Sequence, residues 1–467
     1  MKWLSLSSTS PKMDEEVLLK LETKSLEVLA EALDTLEAGF VDLPAFDSEP
    51  DLARLRTVLR DVAEKMRDNF PYFHPYYAGQ MLKPPHPVAR LAYMLALWIN
   101  PNNHAFDGGR ASSFMEKEAV AEIAKLFGWR TFLGHLTSGG TMANLEALWI
   151  AGQLKPGRKI LASDQAHYTH QRISAVLGLR FESVPCDAKA KMDIDSLIQV
   201  LERGEVGTVV ATAGTTGTGA VDPLPEILEL RERYDFRLHV DAAYGGYFIL
   251  ADNLEAGTRR AYDCLTYADS IVVDPHKHGL QPYGCGCVLY RDPAVGRFYQ
   301  HDSPYTYFTS SDLHLGEISL ECSRAGASAV ALWATQKMLP YLPGGEFAQS
   351  LGKCRQAALI LFERISGDPR FRMIFPPELD ILVFAPKGPK ASEISARSER
   401  FFEAAAAENL HVAKFRYPAS LLRGVWKDVD LDQPQVVCLR SCLMKPEHQD
   451  WADRLWEILD RTARRIG

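Results

Sequence analysis

The stretch SIVVDPHKHGLQPYGCGCVLYRD, residues 270–292, begins and ends in apolar runs and holds a lysine between them. Its first run is short, rich in β-branched residues and followed by turn residues, a pattern typical of a buried strand. Lys277 lies just past this strand, between His276 and His278. A lysine so close to the core is unfavourable unless a partner binds its amine, so the stretch predicts a ligand site at a strand end.

Outward from this stretch, strand patterns alternate with helix patterns from Phe114 onward. The runs GTVVATAG (207–214) and FRLHVDAAYGG (236–246) predict strands, and PLPEILELRERY (223–234) predicts the helix between them. Such alternation is typical of a largely parallel sheet with helices on both faces. We therefore expect an α/β fold in which ligands bind beyond the carboxyl ends of the strands.

Changes in this pattern indicate the domain boundaries. Residues 1–75 predict an N-terminal helical segment, and residues 76–343 predict a large domain that contains the parallel sheet. Gly344 and Gly345 end a long helical stretch. The mix of helices and strands in residues 344–467 predicts a smaller α/β domain with an antiparallel sheet.

The composition argues against several function classes. The 467 residues are 46% hydrophobic and 24% charged, which is ordinary for a globular protein, and the net charge is −8. No long basic run favours a nucleic-acid or anionic-membrane partner. The N-terminus has too short an apolar run for a signal peptide, and the apolar stretch at 87–100 is too short to span a bilayer. We therefore expect a cytoplasmic protein without a membrane partner.

A glycine turn, TSGGT at residues 137–141, joins a predicted strand to a predicted helix. Free backbone N–H groups and the helix dipole favour an anion such as phosphate at a helix start, and glycine lets a ligand approach the backbone closely. The candidate phosphate ligands are Ser138, Gly139, Gly140 and Thr141. The alternative is a purely structural turn with Thr141 as the helix N-cap.

Three further polar side chains, His167, Asp241 and Lys277, follow predicted strands. A half-buried carboxylate such as Asp241 needs a cation or an N–H donor. A lysine held in a crevice at a strand end can act as a nucleophilic amine. Taken singly, each has an ordinary explanation: a structural histidine, a salt bridge and a surface lysine.

Together, these features match the needs of pyridoxal 5′-phosphate (PLP). The lysine holds the aldehyde, the carboxylate keeps the pyridine nitrogen protonated, and the phosphate sits at a helix start. The rival interpretation is a metal site, because HxxH and HxH spacings can serve zinc. Its ligands would be His167, His170, His276 and His278. That site would leave Lys277, Asp241 and the glycine turn without a role.

The chain resembles the PLP-dependent amino-acid decarboxylases of the glutamate, aromatic amino acid and histidine group over roughly residues 70–445. The motifs that carry the resemblance are HPYYAGQM (74–81), TSGGTMAN (137–144), SDQAHYTHQRI (163–173), GTTGTGAVDPL (214–224), HVDAAYGG (239–246) and DPHK (274–277). Details around DPHK look most like the archaeal tyrosine/aspartate decarboxylase branch. The resemblance implies an aminotransferase-like fold (PLP fold type I), a mostly parallel seven-stranded sheet, and a homodimer with the active site at its interface.

The resemblance also implies roles for individual residues. Lys277 would form a Schiff base with PLP, Asp241 would pair with the pyridine nitrogen, and His167 would stack on the ring. Further residues would lie at the cofactor: Ser138, Gly139, Gly140, Thr141, Thr216, Ala243 and His276. Arg440 and Tyr76 would contact the amino-acid substrate, the arginine through a carboxylate.

The resemblance further implies a loop, Ser303–Ser319, that reaches an active site across the dimer interface. The candidates for a proton donor in this loop are Tyr305, Tyr307 and His314. The alternative is that both tyrosines only pack at the interface.

The expected reaction is decarboxylation of an L-amino acid to its amine and carbon dioxide. The aromatic residues of FPYFHPYYAG (70–79) favour an aromatic or bulky side chain, although Arg440 could also accept a side-chain carboxylate. Other PLP reactions stay open, namely a carbon–carbon lyase similar to sphingosine-phosphate lyase and an aldehyde synthase.

Overall fold

The computed structural model describes residues 20–40, 42–44, 50–300 and 314–466. Seven strands form its larger sheet: β1 Leu133–Thr137, β2 Lys159–Ser163, β3 Phe181–Val184, β4 Val206–Thr212, β5 Arg237–Asp241, β6 Ser270–Val273 and β7 Gly286–Tyr290. Their order is β1-β7-β6-β5-β4-β2-β3. Only β7 runs antiparallel to its neighbours, β6 and β1. The predicted mostly parallel, seven-stranded sheet is confirmed.

The register of the central strands sets the position of the site. Thr212 at the end of β4 pairs with Asp241 at the end of β5, and Asp241 pairs with Val272 of β6. Because the three strands are parallel, their carboxyl ends lie at one edge of the sheet. All residues of β4 and β6 are buried, as expected for continuous apolar runs in a sheet covered on both faces.

Ten of the described α-helices lie before residue 344: α1 Lys20–Glu37, α2 Leu52–Met66, α3 Pro87–Leu97, α4 Phe106–Leu126, α5 Gly140–Leu154, α6 Thr169–Val176, α7 Ile194–Glu202, α8 Leu224–Tyr234, α9 Ala256–Asp263 and α10 Gly326–Met338. The alternating pattern predicts that α4 starts at Phe114, but it starts at Phe106 and kinks at Gly109. Glycine disfavours a helix interior and so hides the first turns from sequence periodicity. Within the described ranges, no helix has both the length and the apolar character needed to cross a membrane.

The smaller sheet has four strands: β8 Phe371–Met373, β9 Ile381–Pro386, β10 Ala413–Pro418 and β11 Gln435–Cys442. Their order is β10-β11-β9-β8 and every neighbouring pair is antiparallel, as predicted. The helices of this part are α11 Glu346–Gly367, α12 Ala391–Ala407, α13 Ala419–Leu422 and α14 His448–Ile466. Apolar side chains of α11, α12 and α14 pack on the sheet in one buried cluster. The domain boundaries after residues 75 and 343 stay predictions.

Residues 378–381, called here the 378–381 segment, connect the two sheets. The side chain of Glu378 accepts a hydrogen bond from the backbone N–H of Val221 (2.8 Å), and its carbonyl accepts one from Nε of Arg355 (2.8 Å). The carbonyl of Asp380 accepts a hydrogen bond from the backbone N–H of Leu443 (2.8 Å). The segment is therefore anchored to the loop after β4 and to the small sheet at once.

Candidate active site

A cleft of about 290 Å³ opens at the carboxyl ends of β4, β5 and β6. The residues that line it include ten that the sequence places at a cofactor: Ser138, Gly139, Gly140, Thr141, His167, Thr216, Asp241, Ala243, His276 and Lys277. They come from five separate segments of the chain, which only the sheet brings together. The cleft is therefore a candidate cofactor site.

Lys277 lies at this cleft with its side chain 19% exposed, so its amine is reachable from the cavity. The Nζ atom is 3.0 Å from Oδ2 of Asp274, which is buried and also lines the cleft. The other oxygen, Oδ1, has no hydrogen-bond partner among the described residues. Asp274 thus supplies a counter-charge for the lysine and an acceptor that is open to a ligand.

Asp241 is buried at the end of β5 and lines the same cleft. Its Oδ2 is 2.9 Å from Nε2 of His170, and its Oδ1 accepts a hydrogen bond from the backbone N–H of Ala243 (3.1 Å). Burial alone would raise the pKa of Asp241, but the hydrogen bond and charge of His170 and the charge of Lys277 bring it well below its usual value. Asp241 is therefore a fixed anion facing the cavity.

The glycine turn leads directly into α5, whose N-cap is Gly139 rather than Thr141. Gly139 has φ +153°, and no side chain caps the first turn of the helix. A Cβ on Gly140 would lie 2.6 Å from Oδ2 of Asp274, so only glycine fits beside this carboxylate. The backbone N–H of Ser138 donates to Glu321 (2.9 Å). The N–H of Ser138 is therefore occupied, whereas the first residues of α5, Gly140 and Thr141, line the cleft at an uncapped helix start, where N–H groups lack intrahelical acceptors and favour an anion.

Gly286 at the start of β7 backs this turn, and a Cβ on it would lie 2.5 Å from the carbonyl carbon of Gly139. Because backbone cannot yield as a side chain can, we predict that Gly286→Ala lowers the free energy of unfolding by about 1–3 kcal/mol. Gly257 in α9 is the matched control, since its Cβ would meet no atom within 4 Å. We expect Gly257→Ala to be neutral or stabilising by up to about 1 kcal/mol. Urea unfolding measures both, and equal effects would contradict the close approach of β7 to the turn.

His167 lines the cleft, and its Nδ1 accepts a hydrogen bond from the backbone N–H of Thr169 (3.4 Å) and lies 2.8 Å from the hydroxyl oxygen of Thr169. Burial lowers the pKa of His167, so the ring is neutral near pH 7 with its proton on Nε2. His276 lies 3.5 Å from the carboxylate of Asp274 through Nε2, and its Nδ1 is 2.8 Å from the carbonyl oxygen of Cys285. Burial lowers its pKa as well.

Arg440 on β11 is 6% exposed and contacts the cleft through Thr216. Its Nη1 donates to the carbonyl oxygen of Thr216 (2.9 Å), and its Nη2 donates to Oε1 of Gln80 (2.5 Å). Both acceptors are neutral, and no carboxylate of the described ranges forms an ion pair with this guanidinium. Tyr76 is not among the described residues that line the cleft, and its ring packs on His74 and Trp451.

Of the three loop candidates, Tyr305 and Tyr307 lie outside the described residues. His314 is buried, accepts a hydrogen bond from the backbone N–H of Phe106 through Nδ1 (3.2 Å) and packs on the Phe106 ring. It does not belong to the described lining of this chain's cleft.

The four histidines of the rival metal interpretation do not converge. His170 contacts Asp241, whereas His278 lies 3.1 Å from a different carboxylate, Asp380. Over the described part of the chain, no group of three histidine, cysteine or acidic side chains is arranged to hold a metal ion. The arrangement gives the metal interpretation no support.

Sequence reasoning did not single out several residues that the fold brings to the site. They are Asp274, Tyr244 and Thr212, which line the cleft, and His170, which the sequence indicated only as a ligand of the rival metal site and which instead contacts Asp241. The signals were present, since Asp274 precedes Lys277 in DPHK, and His170 lies in the same motif as His167. Thr212 and Tyr244 adjoin the ends of β4 and β5, so the strand-end argument covers them too.

The donors around the cleft fit PLP. The start of α5 suits the phosphate, Asp241 suits a protonated pyridine nitrogen, and the amine of Lys277 suits the aldehyde. The hydroxyl of Thr212, which lines the cleft, is buried with no hydrogen-bond partner among the described residues. A buried hydroxyl left open in this way indicates that a polar ligand completes the site.

Known proteins place the chain in a family. The profile of the pyridoxal-dependent decarboxylase conserved domain matches residues 153–387. A probable L-tyrosine/L-aspartate decarboxylase of Methanothermobacter thermautotrophicus is 30% identical over 69% of this chain and 86% of its own length. The L-tyrosine decarboxylase of Levilactobacillus brevis is 28% identical over 64% of this chain and 63% of its own length, so the match spans less than two thirds of that relative.

Solved structures share the fold at low identity. Oryza sativa TDC with PLP and tryptamine superposes with a TM-score of 0.77 at 16% identity, covering 98% of this chain and 100% of that one. Mouse CSAD superposes with a TM-score of 0.75 at 20% identity, covering 94% and 91%. The aminotransferase-like fold of PLP fold type I is confirmed, and the cofactor is PLP. The chain belongs to the pyridoxal-dependent decarboxylase family of amino-acid carboxy-lyases.

Proposed function

We propose that this chain converts an L-amino acid, preferably one with an aromatic or bulky side chain, into its amine and carbon dioxide, with Lys277 attaching the cofactor covalently. The observation that carries the proposal is the pairing of an accessible lysine amine with a buried, anionic Asp241 in one cleft. The relative from Levilactobacillus is named for tyrosine, which agrees with an aromatic substrate, whereas the relative from Methanothermobacter is named for both tyrosine and aspartate, which also covers an acidic side chain.

When bound, PLP supplies an electron-withdrawing ring that accepts the electron pair left on the substrate when carbon dioxide departs. The contribution of Asp241 is electrostatic: a fixed anion keeps a proton on the pyridine nitrogen without having to reorganise. His170 and the backbone N–H of Ala243 hold this carboxylate in place. Lys277 provides the amine that the substrate amine replaces.

His167 offers a neutral ring with its proton on Nε2, because Nδ1 is occupied by the N–H of Thr169. In that state the ring can stack on an aromatic cofactor and donate one hydrogen bond without adding charge to the cleft. We propose this as its role.

Arg440 is the proposed contact for a substrate carboxylate. A buried guanidinium with two neutral acceptors and no ion pair among the described residues keeps an uncompensated charge. Buried charges are ordinarily paired, so an anionic ligand is its natural partner. Tyr76 stays a proposed substrate contact. Tyr305, Tyr307 and His314 stay proposed proton donors, which would reach an active site across the interface of the homodimer we expect.

The pH dependence tests the pairing of Asp241 with His170. Without that partner, burial governs Asp241 and its pKa rises, so the carboxylate becomes protonated at a higher pH. We predict that His170→Leu moves the acid limb of the kcat/KM profile upward, whereas His170→Gln, which keeps an N–H donor, moves it less. The native carboxylate is deprotonated well below its usual pKa of about 3.9 and should contribute no limb above that pH. Identical acid limbs in all three proteins would contradict the pairing.

The proposed function is tested by product analysis of the purified PLP-bound protein. Each of the twenty amino acids is incubated with it, and carbon dioxide, amine and aldehyde are measured. Carbon dioxide and amine in equal amounts from an aromatic amino acid support the proposal. Aldehyde as the main product indicates an aldehyde synthase, and turnover without carbon dioxide indicates another PLP reaction.

A further inference from the structure

Asp380 is a fully buried carboxylate of the 378–381 segment and lies outside the cleft lining. Its Oδ1 accepts a hydrogen bond from the hydroxyl of Tyr244 (2.7 Å), and its Oδ2 lies 3.1 Å from Nε2 of His278. Each oxygen of one carboxylate therefore contacts a different loop of the large sheet.

These two loops are the ones that carry the cofactor site. Tyr244 lines the cleft and directly follows Ala243, whose N–H binds Asp241. His278 directly follows Lys277, and its ring packs edge-on against the rings of Tyr244 and Phe248, each 4.9 Å away. A single side chain from the small sheet thus joins the turn after β5 to the turn after β6.

Contacts other than those of the Asp380 carboxylate anchor the 378–381 segment. Arg355 binds the carbonyl of Glu378, and the side chain of Glu378 binds the N–H of Val221. Leu379 packs against the cleft-lining loop, where a Cβ on Gly214 would lie 2.9 Å from it. With the segment held in these ways, both oxygens of Asp380 are directed at the cofactor loops.

The electrostatics favour an ionised Asp380. Burial raises its pKa, but the charge and contact of His278, the hydrogen bond from Tyr244 and the charge of Lys83 hold it below the usual value. An ionised acceptor forms a shorter and stronger hydrogen bond than a neutral one, which suits the contact with Tyr244. Nε2 of His278 lies within ion-pair distance of the other oxygen without a hydrogen bond between them, so this second contact is electrostatic.

We propose that Asp380 is a positioning residue that, through Tyr244 and His278, sets the relative placement of Asp241 and Lys277 and thereby the affinity for PLP. The inference rests on the roles proposed above for Asp241 and Lys277. It concerns the relative placement of these side chains in cofactor-free protein, so PLP binding to that protein is its direct readout.

The test compares Asp380→Ala, Asp380→Asn and Tyr244→Phe by titrating cofactor-free protein with PLP. Because a buried partner left unpaired costs about 1–3 kcal/mol, which corresponds to roughly 5- to 150-fold in an equilibrium constant, we expect Asp380→Ala to raise the Kd at least about fivefold and to shift the absorbance maximum of the bound cofactor. Asp380→Asn keeps an acceptor for Tyr244 and should have a smaller effect, as should Tyr244→Phe. Arg355→Met is the matched control, because it loosens the same segment without touching the carboxylate; it should lower the Tm and leave the Kd unchanged.

A Kd for Asp380→Ala within about twofold of the native value, or one matched by Arg355→Met, would overturn the proposal. If Asp380→Ala fails to fold, the Kd values of Asp380→Asn and Tyr244→Phe test the proposal with the same twofold limit. Both replacements keep nearly the native side-chain volume, so both proteins should fold. The proposed function has a different test from this inference. Native protein that yields no amine refutes the proposed function, whatever the Kd values of the Asp380 variants are.

Discussion

Lys277→Ala should abolish covalent attachment of PLP and lower the rate of amine formation by roughly 10⁴-fold, the upper end of what one positioned acid–base group contributes. The physical reason is that the amine of Lys277 is the accessible lysine nitrogen of the cleft and lies 3.0 Å from the buried Asp274. Alanine leaves the phosphate turn and Asp241 in place, so PLP should still bind reversibly. Absorbance spectra before and after dialysis measure attachment, and amine release measures the rate.

The control for this prediction is Lys155→Ala. Lys155 pairs with an exposed Asp235 on the surface, and an exposed pair contributes at most about 1 kcal/mol. Its removal should change neither the spectrum nor the rate. A Lys277→Ala protein that keeps the native spectrum after dialysis would show that another residue holds the cofactor.

Asp241→Asn should lower kcat by roughly 10²–10³-fold, the loss typical when one preorganised electrostatic group is removed. Asparagine has nearly the same shape but no charge, so the cleft loses the anion that His170 and the N–H of Ala243 hold in place. Because Asp241 contacts no part of a substrate in this account, KM should change much less than kcat.

Steady-state kinetics measure the separate changes in kcat and KM of Asp241→Asn, and Asp222→Asn provides the comparison. Asp222 is also buried and binds backbone N–H groups of Thr212 and Met192, so it shares the burial without facing the cofactor. We expect its replacement to lower the free energy of unfolding while changing kcat little. A loss of kcat in Asp241→Asn no larger than in Asp222→Asn would contradict an electrostatic role for Asp241.

The strands that carry the site could be predicted because their sequences obey strong local rules. One predicted strand ends at Asp241 and the apolar run of the next ends just before Asp274, and the parallel alternation predicts that both ends meet at one edge. The glycine turn before α5 is likewise a local signal. These features place the glycine turn, His167, Asp241 and Lys277 at one cleft, whereas Thr216, Ala243 and His276 were expected there only from the family resemblance.

The partners of those residues could not be predicted, because they depend on pairings across the chain. Asp380 reaches Tyr244 over 136 positions, and Arg440 reaches Thr216 over 224. No periodicity encodes such contacts, since they arise only when the small sheet packs against the large one. The start of α4 was missed for a different, local reason, because the kink at Gly109 hides the first turns of the helix from sequence periodicity.

The central claim, that Lys277 holds the cofactor, is tested most directly by reducing the PLP-bound protein with borohydride and locating the label by peptide mass spectrometry. The account predicts that the pyridoxyl group is found on Lys277 and that Lys277→Ala protein carries none. A label on any other lysine, or unlabelled Lys277 in protein that releases amine, would contradict it.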